Sequence, residues 1–444
     1  MNWSLALLRG VIGVVFLLGI AWLLSSDRKK VNWRIVGSGL ALQFILAVLV
    51  LKVGWVGALF DWIGQGFVAM LNISKEAAVF VFGALSDPEK SAGAFGENSG
   101  FIFATQALPS IIFFSAISSV LYYMGVLQRI VMELAWIMSR VMRLSGAESL
   151  AAAANVFVGQ TEAPLVVKPY IPKMTRSEIM ALMVGGMATI AGSVFGIYIS
   201  FLSGNDPEAQ REFAKFLLCA SVMNAPAALL IAKIMLPETE RVNPDLRVEK
   251  EAVGRNVVDA LANGTSQGLK LALNVAAMII AFYGVILLAN AVLGQLLGSI
   301  NWFGKGSLNG WVNWASGEKF ETLSLQAIFG FLFAPVAWAI GIGWSEVLQV
   351  GQLLGTKIFA TEFFAFMDLG AMKEAGLSAR SVFISTFALC GFANFMSIGI
   401  QIGGIGGLAP EQRSTLAQLG VKAMIGGTLA SCLSASLAGI LYAG

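Results

Sequence analysis

The stretch 155–164, which reads NVFVGQTEAP, decides how this chain folds. It places the acidic residue Glu162 inside long apolar sequence, with Gly159 before it and Pro164 after it. Because glycine and proline interrupt regular helices, the stretch predicts a hairpin whose tip is not helical. Inside a membrane, such backbone is stable only where it lines a cavity or is buried in protein. We therefore expect a re-entrant hairpin that carries Glu162 at its tip.

A second stretch, 357–366, repeats this pattern with the sequence KIFATEFFAF and the acidic residue Glu362. About 30 residues after each stretch, a patch of small and polar residues interrupts a long apolar run. The patches are 188–193 (ATIAGS) and 391–397 (GFANFMS), and one more apolar segment follows each of them. Paired interrupted segments at corresponding positions of two halves indicate the binding site of a transporter.

The composition is that of a membrane protein rather than a soluble one. Of the 444 residues, 57% are apolar and only 12% are charged, whereas soluble domains contain about 25% charged residues. The net charge of +3 is small, so we expect no nucleic acid partner. The absence of histidine excludes Ser-His-Asp triads and HExxH zinc sites. The cysteines at 219, 390 and 432 are expected to be buried small apolar residues.

Runs of about 20 apolar residues can cross a bilayer as helices, so we expect an all-α integral membrane protein with eight transmembrane helices. Segment 326–346 is a ninth candidate by hydropathy alone. Segments 56–84 and 127–145 are amphipathic, which is typical of interfacial helices, and 300–320 has the tryptophans of an aromatic belt, Trp302, Trp311 and Trp314. The eight candidate spans are 4–25, 35–53, 101–126, 177–202, 214–236, 270–292, 379–407 and 416–442.

The basic cluster at 28–34 places the first loop in the cytoplasm by the positive-inside rule. The first hairpin then starts and ends on the cytoplasmic side. If 326–346 lies in the interface, the second hairpin starts and ends outside, and the two halves are inverted repeats. If 326–346 spans, the repeats are parallel. We favour the inverted arrangement because it also places Glu411 and Arg413 inside.

These patterns divide the chain into a scaffold and two transport repeats. The expected parts are N-terminal scaffold helices (1–126), an interfacial helix (127–146), transport repeat 1 (147–236), a cytoplasmic linker (237–269), a scaffold helix (270–298), an interfacial segment (299–343) and transport repeat 2 (344–444).

An ionisable side chain at membrane depth costs about 2.5–3.5 kcal/mol on insertion scales. Glu162 and Glu362 can cap half-helices, whose N-termini carry partial positive charge, and can accept hydrogen bonds across a shared cavity, and the two roles are compatible. Gln160 can both donate and accept, as reading an amide edge requires. Without a cation cluster or a phosphate-binding loop, the site suits a neutral, polar and partly flat solute.

A small hard cation has candidate ligands in the first half. Asn155 and Thr189 offer neutral oxygens, and helix breaks at Val158 and Ile190 free backbone carbonyls. Unwound carbonyls of this kind coordinate Na⁺ in transporters.

The stretch 159–169 (GQTEAPLVVKP) and the run 392–398 (FANFMSI) resemble the concentrative nucleoside transporter family, specifically its bacterial members. The resemblance extends over nearly the whole chain. It implies eight spanning helices, three interfacial helices including 326–346, two re-entrant hairpins, an inverted repeat, and a homotrimer in the bacterial cytoplasmic (inner) membrane. The resemblance also implies roles for individual residues. Gln160, Thr161 and Glu162 would contact the base, with Val194 as an apolar wall, and Glu362, Asn394 and Ser397 would bind the ribose, with Phe392 near the sugar. Sodium would be bound by Asn155, Val158, Thr189 and Ile190.

We therefore expect a secondary active transporter that imports nucleosides by sodium symport with alternating access, with sodium as the coupling ion and no other cofactor. The chain departs from the family at Thr361, where Asn is usual, and at Thr189, where sodium-coupled bacterial relatives tend to have Ser. Proton coupling is the alternative within the family. Outside it, Glu162 and Glu362 would suit a membrane-embedded hydrolase with paired carboxylates, and hairpins of this kind also build passive channels.

Overall fold

In a computed structural model, the described residues are 3–95, 102–204, 206–240, 242, 254–301 and 307–442. They form helices and connecting turns throughout, as the composition predicts. The N-terminal part contains seven helices: α1 (Trp3–Leu23), α2 (Trp33–Lys52), α3 (Gly54–Phe82), α4 (Pro88–Phe95), α5 (Phe103–Gln106), α6 (Leu108–Tyr123) and α7 (Val126–Met142).

The two predicted repeats consist of five helices each, in the same order. The first contains α8 (Gly146–Asn155), α9 (Ala163–Val166), α10 (Arg176–Ala188), α11 (Gly192–Ser203) and α12 (Pro207–Met235). Between the repeats lie α13 (Val257–Ala291), which continues into a π-helical turn (Val292–Leu297), α14 (Leu308–Ser316) and α15 (Leu325–Ala339). The second repeat contains α16 (Val347–Phe359), α17 (Glu362–Glu374), α18 (Ala379–Leu389), α19 (Phe395–Leu408) and α20 (Arg413–Leu441).

Both hairpins are interrupted where the sequence predicts it. The first is non-helical over 156–162, and the second breaks at Ala360 and Thr361. Helix α8 has 10 residues and α16 has 13. At 1.5 Å per residue they are about 15–20 Å long, shorter than the roughly 30 Å apolar core of a bilayer. Their lengths agree with hairpins that enter the membrane without crossing it.

The two patches of small and polar residues also break their helices, with α10 separated from α11 and α18 from α19. Span 379–407 is therefore two half-helices. Eight described helical stretches are long and apolar enough to cross a membrane, and they include 54–95 in place of that split span. The interfacial position of 56–84 thus stays a prediction. Helix α15, with 15 residues, is about 22 Å long, which favours the interface for 326–346.

The remaining predictions concern the linker, the aromatic belt and the cysteines. Helix α13 begins already at Val257, so the C-terminal part of the predicted linker, 257–269, is helical. Trp311 and Trp314 lie exposed on α14, whereas Trp302 and most of the linker 237–255 lie outside the described residues. The three cysteines are buried and unpaired, as expected.

Burial separates the repeats from the scaffold. In an apolar 18-residue stretch of each span, 94% of the residues are buried for Arg176–Ser203 and for Pro207–Met235, and 89% for Pro410–Leu441. In contrast, only 11% are buried for Val257–Leu297 and 17% for Gly54–Phe95. The repeats therefore form the interior of the subunit, and the scaffold helices present apolar side chains outward.

Small residues seat α13 on α6, next to the repeats. A Cβ on Gly264 would lie 2.6 Å from the Cβ of Ser119, and one on Gly268 would lie 2.8 Å from the Cα of Ile112. Such small residues let helices approach closely in membranes. The close contact fixes the face of α13 that closes the site described below.

Candidate functional site

A cavity of about 240 Å³ lies between the two hairpin tips, the two helix breaks and one face of α13. Helix α13 contributes Asn274 and Met278 to its wall, together with smaller apolar residues. The eight side chains that the sequence predicts for the nucleoside all line this one cavity: Gln160, Thr161, Glu162, Val194, Glu362, Phe392, Asn394 and Ser397.

At the first hairpin tip, Gln160 and Glu162 lie on either side of Thr161. Glu162 precedes α9, but its side chain makes no capping hydrogen bond. Its backbone N–H donates to the carbonyl of Gly159 at 3.0 Å, which closes the turn. The carboxylate of Glu162 therefore does not cap α9, and Glu162 lines the cavity instead.

At the second tip, Glu362 is the first residue of α17 and is 3% exposed. Its carboxylate accepts from the Tyr198 hydroxyl at 3.0 Å and from the Asn394 Nδ2 at 2.9 Å. Tyr198 is itself held by stacking on Phe366, with ring centroids 4.5 Å apart. These two neutral donors satisfy a buried carboxylate without neutralising it.

Asn394 and Ser397 stand one helical turn apart, but the helix is not intact between them. Helix α19 begins at Phe395, and Asn394 is its N-cap. The Asn394 Oδ1 accepts from the Ser397 N–H at 2.8 Å. Because an N-cap residue has non-helical backbone, the Asn394 amide is free to turn toward Glu362, where it donates to the carboxylate.

The two repeats meet through Gln160. Its Nε2 donates to the Ser397 Oγ at 2.8 Å, and its Oε1 accepts from the Gln401 Nε2 at 3.1 Å. The Gln401 amide also donates to the Met183 carbonyl at 3.1 Å. The first hairpin tip is thereby joined to the half-helix after the second break. Of the apolar members of the site, Val194 is buried on α11 and Phe392 is half-buried.

The four candidate cation ligands lie at the first break and at the end of α8. Asn155 and Thr189 are each 1% exposed. The Asn155 Nδ2 donates to the Ala151 carbonyl at 3.0 Å, and among the described residues its Oδ1 has no hydrogen-bond partner. The Thr189 Oγ donates to the Gly185 carbonyl at 2.9 Å, so a lone pair stays available. Val158 and Ile190 are likewise buried.

The two helix breaks touch each other. The Phe392 N–H donates to the Thr189 carbonyl at 3.3 Å. From α12, the Asn224 Nδ2 donates to the carbonyls of Ala188 and Cys390, at 2.7 Å each. A Cβ on Gly391 would lie 2.6 Å from the Ala188 carbonyl oxygen. One buried amide and one glycine thus hold the candidate ion ligands and the candidate nucleoside ligands together.

Three buried polar side chains belong to this arrangement although sequence reasoning assigned them no role. They are Tyr198, Asn224 and Gln401. Gln401 carried a usable signal, because it stands four residues after Ser397 on a single helix face. Tyr198 and Asn224 carried none, since their partners lie far away in sequence.

Three family models match consecutive parts of the chain. The Na⁺ dependent nucleoside transporter N-terminus matches residues 12–85, nucleoside recognition matches 104–204, and the Na⁺ dependent nucleoside transporter C-terminus matches 216–439. The chain belongs to the Na⁺ dependent nucleoside transporter family. The resemblance seen in the sequence is therefore confirmed, and a membrane-embedded hydrolase is not supported, because the members of this family are transporters.

Relatives and solved structures agree with this membership. An uncharacterized transporter of Haemophilus influenzae is 42% identical over 98% of both chains. Mouse sodium/nucleoside cotransporter 1 is 36% identical over 97% of this chain, which covers 63% of that protein. The structure of CNTnw in an inward-facing substrate-bound state matches with a TM-score of 0.87 and 38% identity, covering 98% of this chain and 99% of that one. A CNTnw variant in an outward-facing state matches with a TM-score of 0.88, 37% identity and 99% of each chain.

Proposed function

We propose that this Na⁺ dependent nucleoside transporter imports nucleosides by sodium symport with alternating access. The observation that carries the proposal is the single cavity that both hairpin tips and both helix breaks form. It offers carboxylate and amide groups at its edges and apolar walls between them. That combination fits a neutral solute with a flat part and a hydroxylated part.

The base of the nucleoside would lie at the first hairpin tip. Gln160 presents both a donor and an acceptor, Thr161 a hydroxyl and Glu162 an acceptor, with Val194 as the apolar wall. The Gln160 amide now bonds Ser397 and Gln401. A nucleoside that replaces these bonds with its own leaves no buried polar group unpaired, which a solute without hydrogen-bonding groups cannot do.

The ribose would lie at the second tip and break. The Glu362 carboxylate accepts from sugar hydroxyls, Asn394 and Ser397 supply further polar groups, and Phe392 packs near the sugar. Hydrogen bonds to a charged partner contribute about 1.5–3 kcal/mol each. Glu362 is therefore the residue that discriminates most strongly between a nucleoside and a free base.

Sodium would bind Asn155, Thr189 and the carbonyls of Val158 and Ile190. The last turns of α8 and α10 are in contact here, since a Cβ on Gly185 would lie 3.3 Å from the Asn155 Nδ2, and a helix C-terminus carries about half a negative charge. The unpartnered Asn155 Oδ1 is the kind of neutral oxygen that Na⁺ accepts. Proton coupling, in contrast, would have to use carboxylates already assigned to the nucleoside.

Alternating access fits the separation of a buried transport unit from an outward-facing scaffold. The two repeats, joined at their breaks, would move together against α13 and the N-terminal helices. The exposed apolar surface of the scaffold fits lipid and the other subunits of a homotrimer in the bacterial cytoplasmic membrane. Structures of the relative CNTnw in inward-facing and outward-facing states support such a cycle.

Uptake of radiolabelled uridine by proteoliposomes tests the proposal. We expect uridine to accumulate above its outside concentration when Na⁺ is higher outside, and not when choline replaces Na⁺. Acceleration by an inward proton gradient without Na⁺ would show proton coupling instead. Equilibration without accumulation would indicate a channel, and free uracil among the products would indicate an enzyme.

A further inference from the structure

Lys357 is a fully buried charge that the proposed function does not use. It lies on α16, near the tip of the second hairpin, and its side chain is 0% exposed. Its Nζ donates to the Ala388 carbonyl at 2.9 Å and to the Ser431 Oγ at 2.9 Å. Both partners are neutral oxygens, one from the end of the broken helix α18 and one from α20.

Among the described residues a second lysine is buried, Lys233 at 3% exposure, and it has a different environment. Its Nζ lies 2.8 Å from the Glu148 carboxylate and 3.3 Å from the Glu238 carboxylate. Buried charges are usually paired in this way, because an unpaired one is costly. Lys357 forms no ion pair with any residue that the structure describes. Its ammonium group is therefore coordinated by a carbonyl oxygen and a hydroxyl oxygen, as a bound metal cation would be.

The location of Lys357 corresponds to the cation site of the first repeat. In both repeats the end of the first hairpin helix lies against the end of the broken helix. A Cβ on Gly185 of α10 would lie 3.3 Å from the Asn155 Nδ2 at the end of α8, and Lys357 of α16 donates to the Ala388 carbonyl at the end of α18. Two helix C-termini thus bring partial negative charge together in each repeat. The first repeat gathers neutral oxygens there, and the second places the ammonium of Lys357 there.

The closing helices complete the correspondence. Ser221 on α12 donates to the Val156 carbonyl at 2.9 Å, at the end of α8. Ser431 on α20 contacts Lys357, near the end of α16. Three residues after each serine stand Asn224 and Ser434, which hydrogen-bond to each other between the repeats. Each closing helix thus places a serine at the end of its own hairpin helix.

We propose that the ammonium group of Lys357 is a tethered cation that fills, in the second repeat, the position where the first repeat binds its exchangeable ion. The inference rests on the proposed sodium coupling and specifies its stoichiometry. Because the second position is permanently filled, the chain has one exchangeable Na⁺ site. One Na⁺ accompanies each nucleoside.

The first test is the Na⁺ dependence of thermal stability of the full-length protein in detergent, with choline as the comparison salt. Lys357→Gln replaces the ammonium by an amide whose oxygen can complete a Na⁺ site with Ala388 and Ser431. Lys357→Met removes the charge and offers no oxygen. The control Lys233→Met removes a buried ammonium that carboxylates hold.

We expect all three variants to unfold at lower temperature than the wild type in choline. Only Lys357→Gln should show an additional Na⁺-dependent rise in its unfolding temperature. The Na⁺ dependence of its stability should correspond to about two bound Na⁺, and that of the wild type to about one. A Lys357→Gln titration that matches the wild type in slope and midpoint would overturn the tethered-cation proposal. A wild type indifferent to Na⁺ would instead contradict sodium coupling, and the gain in Lys357→Gln would still decide the role of Lys357.

A second measurement needs no variant. Parallel uptake of radioactive sodium and uridine by proteoliposomes at a fixed membrane potential gives the coupling ratio. We expect about one Na⁺ per uridine, the ratio that a single exchangeable site dictates. A ratio near two would show a second exchangeable site and overturn the proposal even if Lys357→Gln fails to fold.

Discussion

The two helix breaks share one design and differ in what they hold. At the first, the ends of α8 and α10 meet around Asn155, whose Oδ1 has no partner in the part of the chain that the structure describes. At the second, the ends of α16 and α18 meet around the Lys357 ammonium, and Asn394 turns toward Glu362. In the proposed function, the first break accepts an ion from solution, whereas the second carries the positive charge of Lys357 and an amide that donates to the Glu362 carboxylate. The two repeats, built from the same order of helices, thus provide two chemically distinct half-sites.

Asn224→Ala should have the largest effect, because it disconnects the two breaks. The variant leaves two buried carbonyls, of Ala188 and Cys390, without a donor. Each unpaired buried group costs about 1–3 kcal/mol, so the stability should fall by about 2–6 kcal/mol. Thermal unfolding in detergent measures the loss.

Ser434→Ala is the control for Asn224→Ala. It removes the hydroxyl that donates to the Asn224 Oδ1 and accepts from the Gln43 Nε2, and it keeps both donations to the carbonyls. Its loss should be about 1 kcal/mol for each of these two hydrogen bonds. Equal losses in the two variants would show that the joint between the breaks is not what Asn224 stabilises.

Glu362→Gln tests whether the second hairpin tip binds the ribose while the first binds the base. It preserves the shape of the side chain and removes the charge that accepts from hydroxyls. A loss of about 1.5–3 kcal/mol corresponds to a roughly 10- to 150-fold weaker affinity for uridine. Calorimetric titration should show a smaller change for a free base than for its riboside. If both affinities fall equally, Glu362 does not bind the ribose.

Asn155→Ala tests the first break as the ion site. Losing one oxygen ligand should raise the Na⁺ concentration for half-maximal uridine uptake by about tenfold, the equivalent of 1.4 kcal/mol. Ser149→Ala is the matched control, since Ser149 is buried on the same helix with an unpartnered hydroxyl. An unchanged Na⁺ dependence in Asn155→Ala would remove Asn155 from the ion site.

The smallest expected effect concerns the base of the second hairpin. Burial tends to raise the pKa of Glu346, but hydrogen bonds from the Ser381 hydroxyl and from the backbone and hydroxyl of Ser378 outweigh it and hold the pKa below its usual range. The carboxylate therefore stabilises the folded chain above the unfolded pKa of about 4.3, and this contribution is lost as the pH falls through the lower folded pKa.

Glu346→Gln should consequently unfold at a slightly lower temperature than the wild type at pH 7, and the difference should shrink below about pH 4. Thermal unfolding across this pH range measures it, with the exposed Glu411→Gln as the control. A difference that is constant with pH would mean that packing, and not the charge of Glu346, stabilises the hairpin base.

The sequence predicted the parts of the fold that local chemistry determines. Gly159 and Pro164 mark the first hairpin tip, and the acidic residues mark both tips, so the breaks were predictable without tertiary information. The eight side chains predicted for the nucleoside also lie on one cavity, although their roles stay predictions.

What the sequence could not supply depends on contacts between distant segments. Lys357 stands within the stretch that revealed the second repeat, but its partners are 31 and 74 residues away. Asn394 was predicted within the interrupting patch, but its hydrogen bond to Glu362 depends on its position as the N-cap of α19 and on the packing of α17 beside it. Tyr198 and Asn224 acquire their roles only when α11 and α12 pack against the second repeat.

The hydrogen bond from Phe392 to the Thr189 carbonyl has a thermodynamic consequence. It joins a residue of the nucleoside cavity to a candidate sodium ligand, next to a glycine where any side chain would strike the Ala188 carbonyl. If the proposed site roles hold, occupying one site would stiffen the backbone that the other uses. Since such linkage is reciprocal, the factor by which sodium tightens nucleoside binding must equal the factor by which the nucleoside tightens sodium binding. With the nucleoside site empty, the sodium site would bind its ion weakly. This would limit the transport of sodium without nucleoside.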